Sequence, residues 1–75
     1  MRHILVIDDD IHIGNLLQEA LEAEGYRVSR AYSGTEAVLA LDRAQPDLAL
    51  LDLMLPGLSG EEVLPRLTGI PVIVV

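Results

Sequence analysis

The sequence contains no cysteine, lysine, tryptophan or phenylalanine. The lack of cysteine excludes a disulfide framework and a thiolate metal site, and the lack of tryptophan and phenylalanine predicts a core of aliphatic side chains. The chain has five arginines and twelve acidic residues, and the resulting net charge of −7 argues against nucleic-acid binding by this segment. No apolar run approaches the roughly 18 residues that a membrane span requires, and the first residues do not form a signal peptide. We therefore expect a cytoplasmic chain that does not bind membranes.

Aliphatic and helical segments alternate along the chain. With 75 residues, of which 51% are hydrophobic, the chain can form one small domain at most. The aliphatic runs contain Ile4, Val28, Leu48 and Val72, which are 24, 20 and 24 residues apart. This spacing is typical of successive strand and helix units in a parallel sheet. We therefore predict the succession β-α-β-α-β-α-β with right-handed crossovers.

The first helix has the clearest signals at its ends. The apolar spacing over residues 11–24 predicts an amphipathic helix with Ile13 and Leu16 in its apolar stripe. Asp9 or Asp10 can cap its start, and the following Gly25 can end it in the left-handed conformation.

Capping boxes mark the starts of two further helices. Residues 33–36 and 59–62 both place a serine three residues before a glutamate, so that each side chain can accept a backbone amide of the first turn. Pro46 ends the second helix. Pro65 removes an interior hydrogen bond from the third helix, which we expect to last about two turns.

Two of the predicted strands end in acidic residues, because Leu48 to Leu51 precede Asp52 and Ile4 to Ile7 precede Asp8-Asp9-Asp10. A flavodoxin-like strand order, 2-1-3-4, brings both ends into one crevice, since the first and third strands are neighbours. Neighbouring strands lie roughly 5 Å apart, and carboxylates this close require a cation or a proton. Oxygen ligands favour a hard divalent ion, for which Mg²⁺ is the natural candidate.

Each polar feature also has a purely structural explanation. An aspartate run after a strand can form a turn with an N-cap, which is the role we expect for Asp10. Asp52 alone could end a strand, although an acid that follows four aliphatic residues and faces other acids is costly without a function. His3 and His12 lie outside the predicted crevice, and we expect ordinary surface positions for both.

Three segments together resemble the receiver domain of two-component response regulators. They are Ile4-Leu5-Val6-Ile7-Asp8-Asp9-Asp10, Asp52-Leu53-Met54-Leu55-Pro56-Gly57-Leu58-Ser59-Gly60 and Ile70-Pro71-Val72-Ile73-Val74-Val75. The resemblance covers the whole chain and implies an α/β fold with helices on both faces of a parallel sheet. It also implies that Asp52 accepts a phosphoryl group from a phosphohistidine of a sensor histidine kinase. Asp8 and Asp9 would form the acidic pair of a Mg²⁺ site that Asp52 and the Met54 backbone carbonyl complete.

The resemblance also indicates what the sequence does not contain. Receivers have five strand-helix units, whereas residues 1–75 supply three and a half. The family's hydroxyl residue after the fourth strand and its lysine after the fifth have no counterpart here. We therefore expect residues 1–75 to be a partial receiver domain that lacks the last strand and the last two helices. The uncharged segment 70–75 would form a sheet edge through which the chain self-associates.

Three functions are compatible with these features. The first is a Mg²⁺-dependent phosphoacceptor module, which is phosphorylated on Asp52 and is not an enzyme that turns over a substrate. The second is a truncated or engineered half-domain that folds by self-association and has little or no phosphotransfer activity. The third is a Mg²⁺-dependent aspartyl phosphohydrolase, although such enzymes usually carry a second acid where this chain has Met54.

Overall fold

Four parallel strands form a sheet in the order β2-β1-β3-β4. The computed structural model describes residues 1–52, 55 and 60–75. The strands are β1 (His3–Ile7), β2 (Arg27–Ala31), β3 (Leu48–Leu51) and β4 (Val72–Val74), and the helices are α1 (Ile11–Ala23), α2 (Gly34–Arg43) and α3 (Gly60–Val63), which continues as a 3₁₀ turn over Leu64–Leu67. The predicted flavodoxin-like order and the predicted succession of elements are confirmed.

The centre of the sheet contains the most strongly buried residues. All five residues of β1 are buried, because this strand lies between β2 and β3. Successive side chains point to opposite faces of a strand, so Leu5 and Ile7 join Leu51 in a core that α2 and α3 cover. The other buried members of this core are Ala31, Ala37, Ala49, Val63 and Leu67. The core is aliphatic, as the composition predicts.

The opposite face of the sheet carries α1 and is covered less completely. Leu17 and Leu21 of this helix are half-buried, but Ile13 and Leu16 of the predicted apolar stripe are exposed. The difference arises because α2 and α3 pack on the other face, so α1 has no helical neighbour here among the described residues. An apolar groove of about 400 Å³ remains beside α1, and its walls include Leu21, Leu48, Leu50 and Ile73.

The predicted signals at the ends of α1 are confirmed. Asp10 is the N-cap, and one oxygen of its carboxylate accepts the backbone amides of His12 and Ile13 at 3.0 and 3.1 Å. Gly25 follows the helix with a φ of +92°. This left-handed conformation is the one that glycine adopts without strain.

Helices α2 and α3 also begin and end near the predicted residues. Ser33 Oγ accepts the amide of Glu36 at 3.1 Å, while the Glu36 carboxylate accepts the amide of Tyr32. The capping serine proposed for α3, Ser59, lies outside the described residues. The 3₁₀ turn begins directly after α3 and contains Pro65, as expected where proline interrupts a helix. In the part of the chain that is described, no helix is both long enough and apolar enough to cross a membrane.

Candidate metal centre

Strands β1 and β3 bring Asp8 and Asp52 to the carboxyl ends of two neighbouring strands, which we call the acidic edge of the sheet. Ile7 pairs with Leu51 in the parallel register, so the residues that follow them leave neighbouring strands side by side. The Asp52 amide donates to the Ile7 carbonyl at 3.0 Å, and the Asp8 amide donates to the Ala31 carbonyl at the same distance. The backbone therefore fixes the points from which both carboxylates project.

Asp9 and Asp10 lie in the turn between β1 and α1. The Asp10 amide donates to Asp8 Oδ1 at 2.8 Å, which orients the Asp8 carboxylate within the turn. The carboxylate of Asp10 is used as the cap of α1, which is the structural role predicted for it. Asp9 is exposed, so its carboxylate faces the solvent.

Three carboxylates, those of Asp8, Asp9 and Asp52, converge at this edge of the sheet. One oxygen of each lies within 4.8 Å of the other two. Asp8 is only 6% exposed, Asp52 is half-buried and Asp9 is exposed, so the cluster runs from the sheet to the solvent. The sequence analysis predicts this convergence from the acids at two strand ends and an assumed flavodoxin-like strand order. The fourth predicted ligand, the Met54 backbone carbonyl, lies outside the described residues.

The donor set fits a hard divalent cation. All three side chains offer carboxylate oxygen, which is the ligand type that Mg²⁺ prefers. Two oxygens on one Mg²⁺ ion lie roughly 3 to 4 Å apart, because each Mg–O distance is about 2.1 Å. The observed spacing therefore requires only a small side-chain movement, or a water molecule between the ion and one carboxylate. A cation also relieves the mutual repulsion of three acids.

His3 is buried, so the surface position predicted for it is wrong. It is the first residue of β1 and is 7% exposed, because strand alternation turns its side chain toward the core face. Nε2 lies 2.6 Å from Ser29 Oγ, and Nδ1 is buried without a hydrogen-bond partner in the described structure. Burial and the charge of Arg27 lower the pKa of His3, against an opposing effect of Asp47. His3 borders a cavity of about 330 Å³, also lined by Arg43, at the end of β1 away from the acids.

The structure also places the second histidine and one contact that the sequence analysis did not predict. His12 is exposed in the first turn of α1, as predicted. Arg30 and Gly14 receive no role from the sequence pattern, yet they contact each other across β2 and α1. The available signal was a glycine inside a helical pattern, which often has a packing or functional reason.

The chain matches the model of the response regulator receiver domain over residues 4–75. It is 51% identical over 65 residues to the uncharacterized transcriptional regulatory protein YkoG of Bacillus subtilis. That alignment covers 87% of this chain and 28% of YkoG, so the chain spans less than a third of this relative.

Solved structures of response regulators have the same fold. The response regulator TrrA of Thermotoga maritima in complex with Mg²⁺ and BeF is 42% identical, with a TM-score of 0.83 over 89% of this chain and 58% of that one. A chain in the complex of the histidine kinase ThkA with TrrA is 37% identical, with a TM-score of 0.88 over 99% of this chain and 67% of that one. The match over residues 4–75, the strand order and the acidic edge of the sheet together show that this chain belongs to the response regulator receiver domain family.

Proposed function

We propose that this chain accepts a phosphoryl group on Asp52 in a Mg²⁺-dependent reaction and thereby acts as the signalling module of a two-component response regulator. The observation that carries the proposal is the convergence of Asp8, Asp9 and Asp52, with ligand oxygens within 4.8 Å of one another. The related protein TrrA was solved in complex with Mg²⁺ and BeF, which supports Mg²⁺ binding by this chain.

Asp52 is the proposed nucleophile. It follows β3 directly, and its amide is held by the Ile7 carbonyl, so little of its backbone freedom has to be lost when the phosphodonor arrives. A carboxylate oxygen of Asp52 forms the new bond to phosphorus. The bond between phosphorus and the imidazole nitrogen of the donor breaks, and its electron pair stays on the imidazole. The product is an aspartyl phosphate, so the chain itself is modified and no small substrate is turned over.

Asp8 and Asp9 are the proposed cation ligands beside Asp52. Asp8 is buried, and the Asp10 amide orients its carboxylate at 2.8 Å, so it offers a fixed oxygen. Asp9 is exposed and can adjust its side chain to complete the site. When bound, Mg²⁺ supplies positive charge that offsets the negative charge of the phosphoryl oxygens.

Intact mass spectrometry after incubation with acetyl phosphate and Mg²⁺ tests the proposal. We expect one phosphoryl adduct on the wild-type chain, and none on Asp52→Asn or in the presence of EDTA. Asp10→Asn is the matched control, because it removes one charge from the same turn while asparagine caps a helix as well as aspartate does. This control should keep the adduct.

Two other outcomes separate the competing functions. A folded wild-type chain that gains no adduct would contradict the proposal and would favour a half-domain without phosphotransfer activity. Steady release of phosphate over many turnovers would favour an aspartyl phosphohydrolase instead.

A sensor histidine kinase is the partner that we propose as the natural phosphodonor. The complex of ThkA with TrrA supports this assignment. Directly after the acidic turn, α1 presents Ile11, Ile13 and Leu16, which are 57%, 49% and 68% exposed. An apolar helix surface beside the acceptor suits an apolar helical partner.

The substitution Leu16→Asp tests this surface. Transfer from a phosphorylated sensor kinase that labels the wild-type chain should slow, because a charge replaces an apolar contact. Labelling by acetyl phosphate should stay unchanged, since this small donor does not contact α1. Equal slowing of both reactions would contradict the proposed docking surface.

We also propose that residues 1–75 self-associate through β4. This strand is at the end of the sheet, and Ile73, Val74 and Val75 are each more than half exposed. An uncharged edge strand offers backbone groups to a second copy, and pairing across a two-fold axis would satisfy them. The apolar groove beside α1 borders the same strand through Ile73, so a second copy could cover both.

Light scattering over a concentration series measures this association. The wild-type chain should form a dimer, and Val74→Lys should shift it to a monomer because lysine on an edge strand opposes pairing. Leu39→Lys is the control, since it makes the same kind of change at an exposed position of α2. A folded wild-type monomer throughout the series would contradict the proposal.

A further inference from the structure

Arg30 joins the end of β2 to the first turns of α1. Its Nη1 donates to Asn15 Oδ1 at 2.9 Å and to Gln18 Oε1 at 3.1 Å. The guanidinium carbon lies 5.0 Å from the centre of the Tyr32 ring. Nε and Nη2 are buried without a hydrogen-bond partner among the described residues. The guanidinium has therefore lost hydration that two neutral amide oxygens replace only in part.

Gly14 provides the space that the guanidinium occupies. A Cβ atom at this position would lie 2.9 Å from Arg30 Nε, 2.5 Å from Cζ and closer still to Nη2. Glycine is unfavourable inside a helix, and no positive φ requires it here. The close approach of the Arg30 guanidinium gives glycine a packing reason at this position. Any larger residue at position 14 must displace the end of the arginine side chain.

Strand β2 and helix α1, which Arg30 connects, also form hydrogen bonds with the two ends of the turn that carries the acids. The amide of Asp8 donates to the carbonyl of Ala31, the neighbour of Arg30 on β2, at 3.0 Å. The amide of Gly14 donates to the carbonyl of Asp10, also at 3.0 Å. The turn that carries the acids is therefore hydrogen-bonded at one end to β2 and at the other end to the first turn of α1. The Arg30 guanidinium connects these same two elements.

We propose that Arg30, seated over Gly14, is a positioning residue for the metal centre: it fixes the start of α1 against the end of β2 and thereby sets the spacing of Asp8 and Asp9 relative to Asp52. This role rests on the proposed Mg²⁺ site. Because outer contacts that orient ligands typically change metal affinity by about 10-fold to 100-fold when removed, the effect should appear in the Mg²⁺ dissociation constant.

The charge of Arg30 and its geometry have opposite effects on Mg²⁺ binding. A positive charge in the same small domain repels Mg²⁺, so removing the charge alone should tighten binding. Losing the Arg30 contacts between β2 and α1 should weaken Mg²⁺ binding, because the ion itself must then order the carboxylate ligands. Two variants that keep the charge isolate the geometric effect. Gly14→Ala displaces the guanidinium from its seat, and Arg30→Lys removes the planar fork that reaches two acceptors.

Calorimetric titration of Mg²⁺ at fixed ionic strength compares these variants with the wild-type chain. We expect the dissociation constant to rise about tenfold in both Gly14→Ala and Arg30→Lys. Arg27→Lys is the matched control, because it makes the same substitution at an exposed position at the other end of β2; its dissociation constant should equal that of the wild type. Circular dichroism confirms folding, which Gly14→Ala should preserve because alanine favours helix.

The double variant Gly14→Ala, Arg30→Lys provides a second measurement. If Gly14 and the Arg30 guanidinium act only through their mutual contact, the double variant should bind Mg²⁺ no more weakly than either single variant. Folded single variants whose dissociation constants stay within twofold of the wild type would overturn the positioning role, while leaving the metal centre in place. Failure of the wild-type chain to bind Mg²⁺ would overturn the metal centre and this role together.

Discussion

Replacing Asp9 by asparagine should stabilise the metal-free chain. One oxygen of Asp9 lies within 4.8 Å of an oxygen of Asp8 and of Asp52, so the substitution removes two like-charge contacts. At that distance two unit charges repel by about 0.9 kcal/mol in bulk water and by about 3.5 kcal/mol at an effective dielectric constant of about 20. Because Asp9 is exposed, the lower value applies. The two contacts then sum to about 2 kcal/mol of destabilisation that the variant no longer has.

Saturating Mg²⁺ should reduce the stability advantage of Asp9→Asn. An ion that binds only the folded chain stabilises it by about 2.7 kcal/mol at 100 times its dissociation constant, and by about 4.1 kcal/mol at 1,000 times. The wild-type chain has three carboxylate ligands and should gain this full amount. Asp9→Asn offers a weaker ligand and should gain less. Since about 1.4 kcal/mol corresponds to a factor of ten in a dissociation constant, the wild-type chain becomes the more stable of the two when the substitution weakens Mg²⁺ binding by more than roughly 30-fold.

Urea unfolding followed by circular dichroism at low ionic strength measures both comparisons. A difference of about 2 kcal/mol corresponds to a shift of roughly 0.7 to 2 M in the urea midpoint, because m is about 1 to 3 kcal/mol per M for a small domain. Glu19→Gln is the control, because it makes the same change in net charge at an exposed position of α1. If Asp9→Asn is no more stable than this control in EDTA, the repulsion is refuted. If its advantage is undiminished in saturating Mg²⁺, Asp9 is not a ligand.

Three further predictions concern stability. Leu51→Ala should cost about 2 to 5 kcal/mol in urea unfolding, because Leu51 is fully buried; a cost below about 1 kcal/mol would show that the core collapses around it. Ser33→Ala should cost about 1 kcal/mol through loss of the α2 cap, and Ser33→Asp should restore it. The folded chain lowers the pKa of His3 from 6.5, so the unfolded chain binds the proton first as the pH falls. The contribution of His3 to the free energy of unfolding should therefore be fully present above about pH 6.5. Below that pH it should decline by at most about 1.4 kcal/mol per pH unit. His3→Gln should flatten this slope, and an unchanged slope would contradict the role of His3.

The acidic cluster could be predicted from the sequence because it depends on short-range patterns. The run Ile4 to Ile7 and the run Leu48 to Leu51 each end at an aspartate, and one assumption about strand order places those ends together. The caps of α1 and α2 are equally local, since each involves residues within three positions of one another. Such features need no knowledge of the rest of the fold.

The features that the sequence did not predict depend on residues far apart in the chain. His3 is buried against Ser29, 26 residues away, and its amide donates to Asp47, 44 residues away. Arg30 reaches Asn15 across 15 residues, and nothing in either segment alone indicates the contact. The exposure of Leu16 has the same cause, because it depends on which face of the sheet the other helices cover.

The unequal covering of the two sheet faces should divide the chain into regions that exchange amide hydrogens at different rates. Amides of β1 and β3, which adjoin the core under α2 and α3, should exchange only when the whole chain unfolds. Helix α1 is half-buried at Leu17 and Leu21 and should exchange through a smaller, local opening. Because the turn before α1 carries Asp8 and Asp9, closing that turn on an ion should slow the local opening. The hydrogen-exchange protection of helix α1 would then increase when an ion binds at the acidic edge, whereas the protection of the central strands would not change.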